Sequence, residues 1–110
     1  NMYQRSCDML LGVPFNLASM SLLLLIVAKT VNMLPGEAFW IGGDTHIYKD
    51  HIDVVNEQLS REPMELPQMK INKELNSLDD ILKLTIDDFM LENYESHSKL
   101  KAELFTGYKK

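Results

Sequence analysis

Gln4-Arg5-Ser6-Cys7-Asp8 runs into Leu11-Gly12-Val13-Pro14-Phe15-Asn16-Leu17-Ala18-Ser19, and the fold can be read outward from this junction. Residues 2–11 read as an extended segment. Gly12-Val13-Pro14 reads as a turn. Proline fixes φ and is tolerated in the first turn of a helix, so a helix is expected to start near Pro14 or Phe15 and to run to about Asn32. From Leu22 on, apolar residues cover most of its circumference, the pattern of a helix buried on several sides. Pro35-Gly36 ends that region as a turn.

Beyond it, residues 37–48 hold Phe39, Trp40, Ile41, Ile47 and Tyr48, a strand-like set interrupted by Gly42-Gly43. Paired glycines in a strand suggest a bulge or a close backbone approach. Residues 49–61 read as an amphipathic helix, with Ile52, Val55 and Leu59 at helical spacing. Pro63 and Pro67 bound an exposed loop. Residues 68–73 alternate as a short strand, with Met69 and Ile71 on one face. Residues 78–88 are acidic and without a decisive period, residues 89–94 suit a last strand, and residues 96–110 show no clear period. There is no internal repeat. The expected class is α+β, a mixed sheet with long buried helices packed on it.

Bulk properties narrow the function. A chain of 110 residues is one domain or part of one. A net charge of −5 argues against nucleic acid as a partner, since neutralising many phosphates needs a basic surface. It leaves room for one small phosphate held by a local Arg. The single cysteine, Cys7, excludes an internal disulfide and fits a reducing cytoplasm. The chain opens on Asn1, so a piece of a longer polypeptide is expected, and no signal-peptide n-region precedes the first apolar run. Residues 9–28 carry no charge and are long enough to span a bilayer. Pro14, Asn16, Ser19 and Ser21 interrupt that run, and a helix in a soluble core, with no membrane partner, is the expectation.

Several side chains could carry chemistry. The Arg5 guanidinium offers a planar fork to phosphate oxygens, and the Ser6 hydroxyl adds a donor. On pattern alone, a solvated surface Arg is the commoner case. Asn16 and Ser19 are three apart and share a helix face. A buried Asn presents an acceptor and a donor together, which suits a pyrimidine edge offering N3–H and O4, although a helix cap or satisfied core amide is the commoner role. Asp44, His46 and Tyr48 alternate and could hold a sugar hydroxyl from one strand face. With Asp50 and His51 nearby a metal can be weighed, but the spacing matches no metal motif, and none is expected. Cys7 shows neither the neighbouring base nor the charge that activates a thiol, and reads as a small buried residue.

In their order and spacing these stretches resemble the thymidylate synthase family. The resemblance is tightest over residues 3–67, helped by Ser60-Arg61-Glu62-Pro63 and Leu66-Pro67. It is looser through Asp87-Asp88-Phe89 and Asn93-Tyr94. It implies that residues 1–110 are the C-terminal segment of a single synthase domain. In that family a one-carbon unit passes from 5,10-methylenetetrahydrofolate to C5 of dUMP, yielding dTMP and dihydrofolate, and the enzyme is a homodimer. By position, Arg5 and Ser6 would meet the dUMP phosphate, and Asn16 the uracil edge, with Ser19 supporting the polar network around the base. His46 and Tyr48 would hold the ribose 3′-hydroxyl. Asp8 would contact the pterin and lie close to the pyrimidine, with Leu11, Gly12 and Phe15 lining the folate side.

The resemblance assigns no catalytic residue to this chain. Cys7 is not the family's nucleophile, which lies with an active-site glutamate in an N-terminal part. The chain alone is therefore expected to be inactive without a complementary N-terminal half. Asn16 favours uracil, since cytosine-specific relatives tend to carry Asp there. The tail, residues 95–110, diverges. Tyr94-Glu95-Ser96-His97-Ser98 lacks the prolines of the family's Tyr-x-Pro-His-Pro-like ending, and Phe105-Thr106-Gly107-Tyr108-Lys109-Lys110 continues beyond it. Two alternatives stay open: a pyrimidine nucleotide hydroxymethylase, and a non-catalytic remnant that binds nucleotide or a partner half.

Overall fold

In a computed structural model, residues 1–104 are described, and the expected tail segment from Phe105 to Lys110 lies outside them. The extended reading of the first residues holds. β1 (Met2–Asp8) pairs in parallel with β2 (Trp40–His46), Met2 opposite Trp40, Gln4 opposite Gly42 and Asp8 opposite His46. Parallel strands need a crossover, which α1 (Gly12–Thr30) supplies, packed on β1.

The corner between β1 and α1 is made by Asp8. Its Oδ1 accepts from the backbone N–H groups of Leu10 and Leu11, at 3.2 and 3.4 Å, so a carboxylate closes the turn as a short side chain next to its own backbone can. The helix starts at Gly12, two residues ahead of Pro14, which falls in the first turn where a missing N–H costs nothing. At the other end Asn32 takes a left-handed φ of 52°. The Met33 N–H then reaches the Ala28 carbonyl at 2.8 Å and the Asn32 N–H the Lys29 carbonyl at 3.2 Å, satisfying carbonyls the helix leaves open.

The second half of the chain is smaller. A 3-10 turn at Lys49–His51 leads into α2 (Ile52–Leu59). β3 (Gln68–Ile71) pairs antiparallel with β4 (Phe89–Glu92), Met69 opposite Leu91. Between them stand α3 (Leu78–Leu82), capped by the Ser77 hydroxyl, and a 3-10 turn at Ile86–Asp88. The two short sheets are tied together through α1: the Lys29 ammonium, in its last turn, donates to the Ile71 carbonyl at 2.8 Å.

The α+β class holds, and two details of the expectation are corrected. The strands form two separate two-stranded sheets, one parallel and one antiparallel, and no single mixed sheet among the described residues. The helices are not long and buried: only α1 is long, and of its residues only Val13 and Ala28 are buried, while Phe15 is 73% and Leu23 60% exposed. The physical reason is coverage. A helix of about 28 Å, at 1.5 Å per residue, is packed mainly against β1 and the five-residue α3 among the described elements. The buried apolar side chains are Cys7, Val13, Ala28 and Leu75.

The β3–β4 sheet carries an acid-sensitive clasp. The Asp88 carboxylate accepts from the Thr85 backbone N–H at 2.7 Å and meets the Lys73 ammonium at 3.3 Å. The Thr85 N–H first, then the Lys73 and Thr85 side chains, hold it below its ordinary range. Asp80 is lowered likewise, first by the Ser77 hydroxyl. A lowered folded pKa gives stability that is present above the ordinary value of about 3.9 and lost as pH falls through the lowered one. Amide exchange in residues 72–92 should therefore accelerate on acidification below about pH 4. Asp88→Asn should remove part of that dependence. An identical acid profile in the variant would refute the role given to this carboxylate.

Candidate functional site

The first half of β1, the first turns of α1 and the start of β2 meet around Gln4. Its side-chain amide is used at both ends. Trp40 Nε1–H donates to Gln4 Oε1 at 2.9 Å, and Gln4 Nε2 donates to Asn16 Oδ1 at 2.8 Å and to the Ser6 carbonyl at 2.9 Å. Three elements are joined by one carboxamide.

Glycines make this approach feasible. Gly42 faces Gln4 across the ladder, and a Cβ on it would come within 2.5 Å of the Trp40 ring. Its bare backbone therefore leaves the space the indole occupies. On α1, a Cβ at Gly12 would lie 3.4 Å from Asp8 Cβ and 3.7 Å from Asn16 Oδ1. Asp8, Gly12, Asn16 and Gln4 are thus gathered at one corner. Asn16 and Ser19, one helical turn apart, line an open cavity of about 550 Å³ together with Tyr3, Gln4 and Met20. Asp8 spends Oδ1 on the turn, and Oδ2 makes no hydrogen bond among the described residues. Leu11 is half-buried beside it and Phe15 presents its ring to solvent.

His46 ends β2 opposite Asp8. Its Nδ1 lies 3.1 Å from the Asp44 carbonyl, with the Asp44 carboxylate at 3.7 Å. A carbonyl only accepts, so in the neutral ring Nδ1 carries the proton and Nε2 is an acceptor. Tyr48 packs edge-on to His46 at 5.1 Å and to His51 at 5.7 Å. The buried His51 in turn donates from Nε2 to the Glu103 carbonyl at 2.8 Å, which ties the segment after β4 to this side of the site.

Arg5 and Ser6 are both exposed, and as neighbours on a strand they point to opposite faces. Ser6 falls on the face of Gln4 and Asp8, Arg5 on that of Cys7, so β1 does not bring this pair together. Arg5 has no ion-pair or hydrogen-bonding side-chain partner among the described residues. Cys7 is fully buried, and its Sγ donates to the Gln4 carbonyl at 3.3 Å, which leaves no thiol open to a substrate. Among the described residues, no three His, Cys, Asp or Glu side chains gather as a metal site requires.

Sequence reasoning misses two members of this corner, Gln4 and Trp40. Gln4 lies in the opening stretch and Trp40 beside the paired glycines, but their contact spans 36 positions and depends on strand register. The one available signal is chemical: a Trp indole seeks an acceptor when covered.

A sequence profile for the family described as Thymidylate synthase matches residues 1–106. The chain is 48% identical over 103 residues to a thymidylate synthase of Saccharomyces cerevisiae, covering 94% of this chain and 33% of the yeast protein. It is 52% identical over 101 residues to that of Francisella tularensis subsp. holarctica, with 92% and 36% covered. A Cereibacter sphaeroides thymidylate synthase is 45% identical over 103 residues, with 94% and 34% covered. The chain spans about a third of the length of these curated relatives.

Proposed function

The chain belongs to the thymidylate synthase family, and we propose that it is the C-terminal part of a cytoplasmic, homodimeric enzyme that makes dTMP from dUMP and 5,10-methylenetetrahydrofolate. In this reading it contributes nucleotide- and folate-facing walls and leaves the nucleophile to another segment. Asn16 carries the reading. Gln4 holds its oxygen, so that the amide offers the cavity one remaining lone pair and two N–H donors, the complement of uracil N3–H and O4.

The other residues follow from that anchor. Ser19 lines the same cavity and supports the base. His46 Nε2 can accept from a ribose 3′-hydroxyl, with Tyr48 beside it. Ser6 and Arg5 are the donors for the phosphate, and Arg5 reaches it from the other strand face, around the edge of the pair. On the folate side Asp8 Oδ2 is an acceptor for a pterin N–H, and Leu11, Gly12 and Phe15 give a flat ring an apolar wall. When bound, the folate supplies the carbon and the electrons of the new methyl group. This chain's part is to bind, orient and exclude water.

Because Cys7 is buried and hydrogen-bonded, the 110-residue chain alone is expected to form no dihydrofolate from dUMP and methylenetetrahydrofolate. A fusion in which residues 1–106 replace the matching third of the Saccharomyces cerevisiae relative should form dTMP. Turnover by the chain alone would overturn the role given to Cys7. A folded fusion that makes no dTMP would overturn the synthase reading, and hydroxymethyl-dUMP as product would replace it with the hydroxymethylase.

A further inference from the structure

We propose that Trp40, acting through Gln4, sets which pyrimidine Asn16 accepts: a donor relay running from β2 through β1 to α1 fixes the amide of Asn16 in the uracil-reading orientation. The proposal rests on the reading that Asn16 meets the base. It adds two positioning residues that would not touch the nucleotide.

An amide of Asn or Gln can rotate by half a turn and exchange its oxygen for its nitrogen at little steric cost, because the two are nearly the same size. A freely rotating Asn16 would present either edge. With Oδ1 toward N3 and Nδ2 toward the exocyclic position it complements uracil. Turned over, it complements cytosine, whose N3 accepts and whose N4 donates. Discrimination therefore requires something that forbids the turn.

The indole supplies it. Trp Nε1 can only donate. Trp40 Nε1–H at 2.9 Å thus obliges Gln4 to present Oε1 to it. Gln4 Nε2 must then face α1, where it donates to Asn16 at 2.8 Å, and Asn16 must answer with Oδ1. Were Asn16 to turn, its Nδ2 would confront Gln4 Nε2, donor against donor. Were Gln4 to turn as well, its Nε2 would confront the indole N–H. Polarity is propagated from a group that cannot reverse to one that can. The Ser6 carbonyl, accepting from Gln4 Nε2 at 2.9 Å, fixes the same orientation a second time. Gly42 belongs to the device, since the indole overlies it on the way to Gln4.

The relay can be inverted as well as broken. In Gln4→Glu the new carboxylate still accepts from Trp40, but its second oxygen accepts from α1 too. Asn16 must then turn its Nδ2 toward that carboxylate, where the second hydrogen of the nitrogen meets N3, and its Oδ1 faces the exocyclic group. That is the cytosine complement. Trp40→Phe keeps an aromatic ring and removes the indole donor, leaving the Ser6 carbonyl alone to orient the Gln4 amide.

The experiment uses the active fusion with the Saccharomyces cerevisiae relative and reads the ratio of kcat/KM for dUMP over dCMP. Trp40→Phe, which leaves the Ser6 carbonyl in place, should lower that ratio by about three- to tenfold, part of the discrimination one bidentate amide–base pair carries. Gln4→Glu should lower it further and shift the preference toward dCMP. If Trp40 and Gln4 only support packing, both substrates fall together, the ratio stays at its original value, and the relay is refuted. Should Gln4→Glu fail to fold, Trp40→Phe decides alone. Asn16→Asp separates this failure from that of the underlying reading. An unchanged ratio there means that Asn16 does not read the base. A changed ratio there with unchanged ratios in the other two refutes the relay only. Independently, Trp40 is the single tryptophan of the chain, so in the chain itself one indole N–H resonance reports its bond. Gln4→Leu should speed its exchange with water, and unaltered exchange would count against the relay.

Discussion

Asn16→Ala, in the active fusion, is expected to lower kcat/KM for dUMP about thirtyfold. The substitution removes two neutral hydrogen bonds, worth roughly 0.5–1.5 kcal/mol each. Because the cavity is open, water reaches the base edge in the variant, and Gln4 Nε2 keeps its bond to the Ser6 carbonyl, so no further penalty for unpaired groups is added. About 2 kcal/mol in all corresponds to the stated factor. Steady-state kinetics with dUMP and with dCMP measure it, and a loss below about fivefold would mean that this amide is not the principal contact of the base.

The second large effect concerns the β1–β2 pair itself. A Cβ at Gly43 would stand 2.9 Å from the Arg5 carbonyl oxygen and 3.4 Å from that of Gln4. Both are backbone atoms, so no side chain can swing aside. Gly43→Ala must push the strands apart and should cost about 1–3 kcal/mol, the usual range for overpacking. Because Gln4, Asp8 and His46 are all placed by this ladder, binding of dUMP should fall with stability. Gly42→Ala makes an instructive comparison. There the obstacles are the Trp40 ring and the Thr45 hydroxyl, both side-chain groups, so stability should suffer less. Denaturant midpoints of the two variants give the order, and a milder effect at Gly43 than at Gly42 would contradict this account of the ladder.

How far the sequence could be read depended on the range of the interaction. Local chemistry was legible. Pro14 placed the start of α1 to within two residues, and Gly42-Gly43 announced a close backbone approach that the Arg5 carbonyl then supplies, whereas the turn expected at Pro35-Gly36 falls instead at residues 31–32. Helical spacing of Ile52, Val55 and Leu59 marked α2. What failed needed partners. The apolar circumference of α1 says that the helix seeks cover. It cannot say which chain provides it, and β1 and α3 leave most of it open. Gln4 and Trp40 went unread because a hydrogen bond across a parallel pair is invisible until the register is known. Residues 78–88, without a period, resolved into two short capped turns held by Ser77, Thr85 and Asp88, side chains whose roles are local but whose order is not periodic.

The crossover between β1 and β2 also fixes an order of events in time. α1 closes only local contacts and can form as soon as its residues are free, whereas the Trp40–Gln4 bond closes a loop of 36 positions. Loop closure of that length must precede any reward from the contact, and parallel pairing is correspondingly slow. A nascent chain released only through Asn32 would already display Asn16 on a helix with its amide free to turn. If Asn16 reads the base as proposed, the relay is completed only when β2 docks, and the choice of pyrimidine would then be set late in folding.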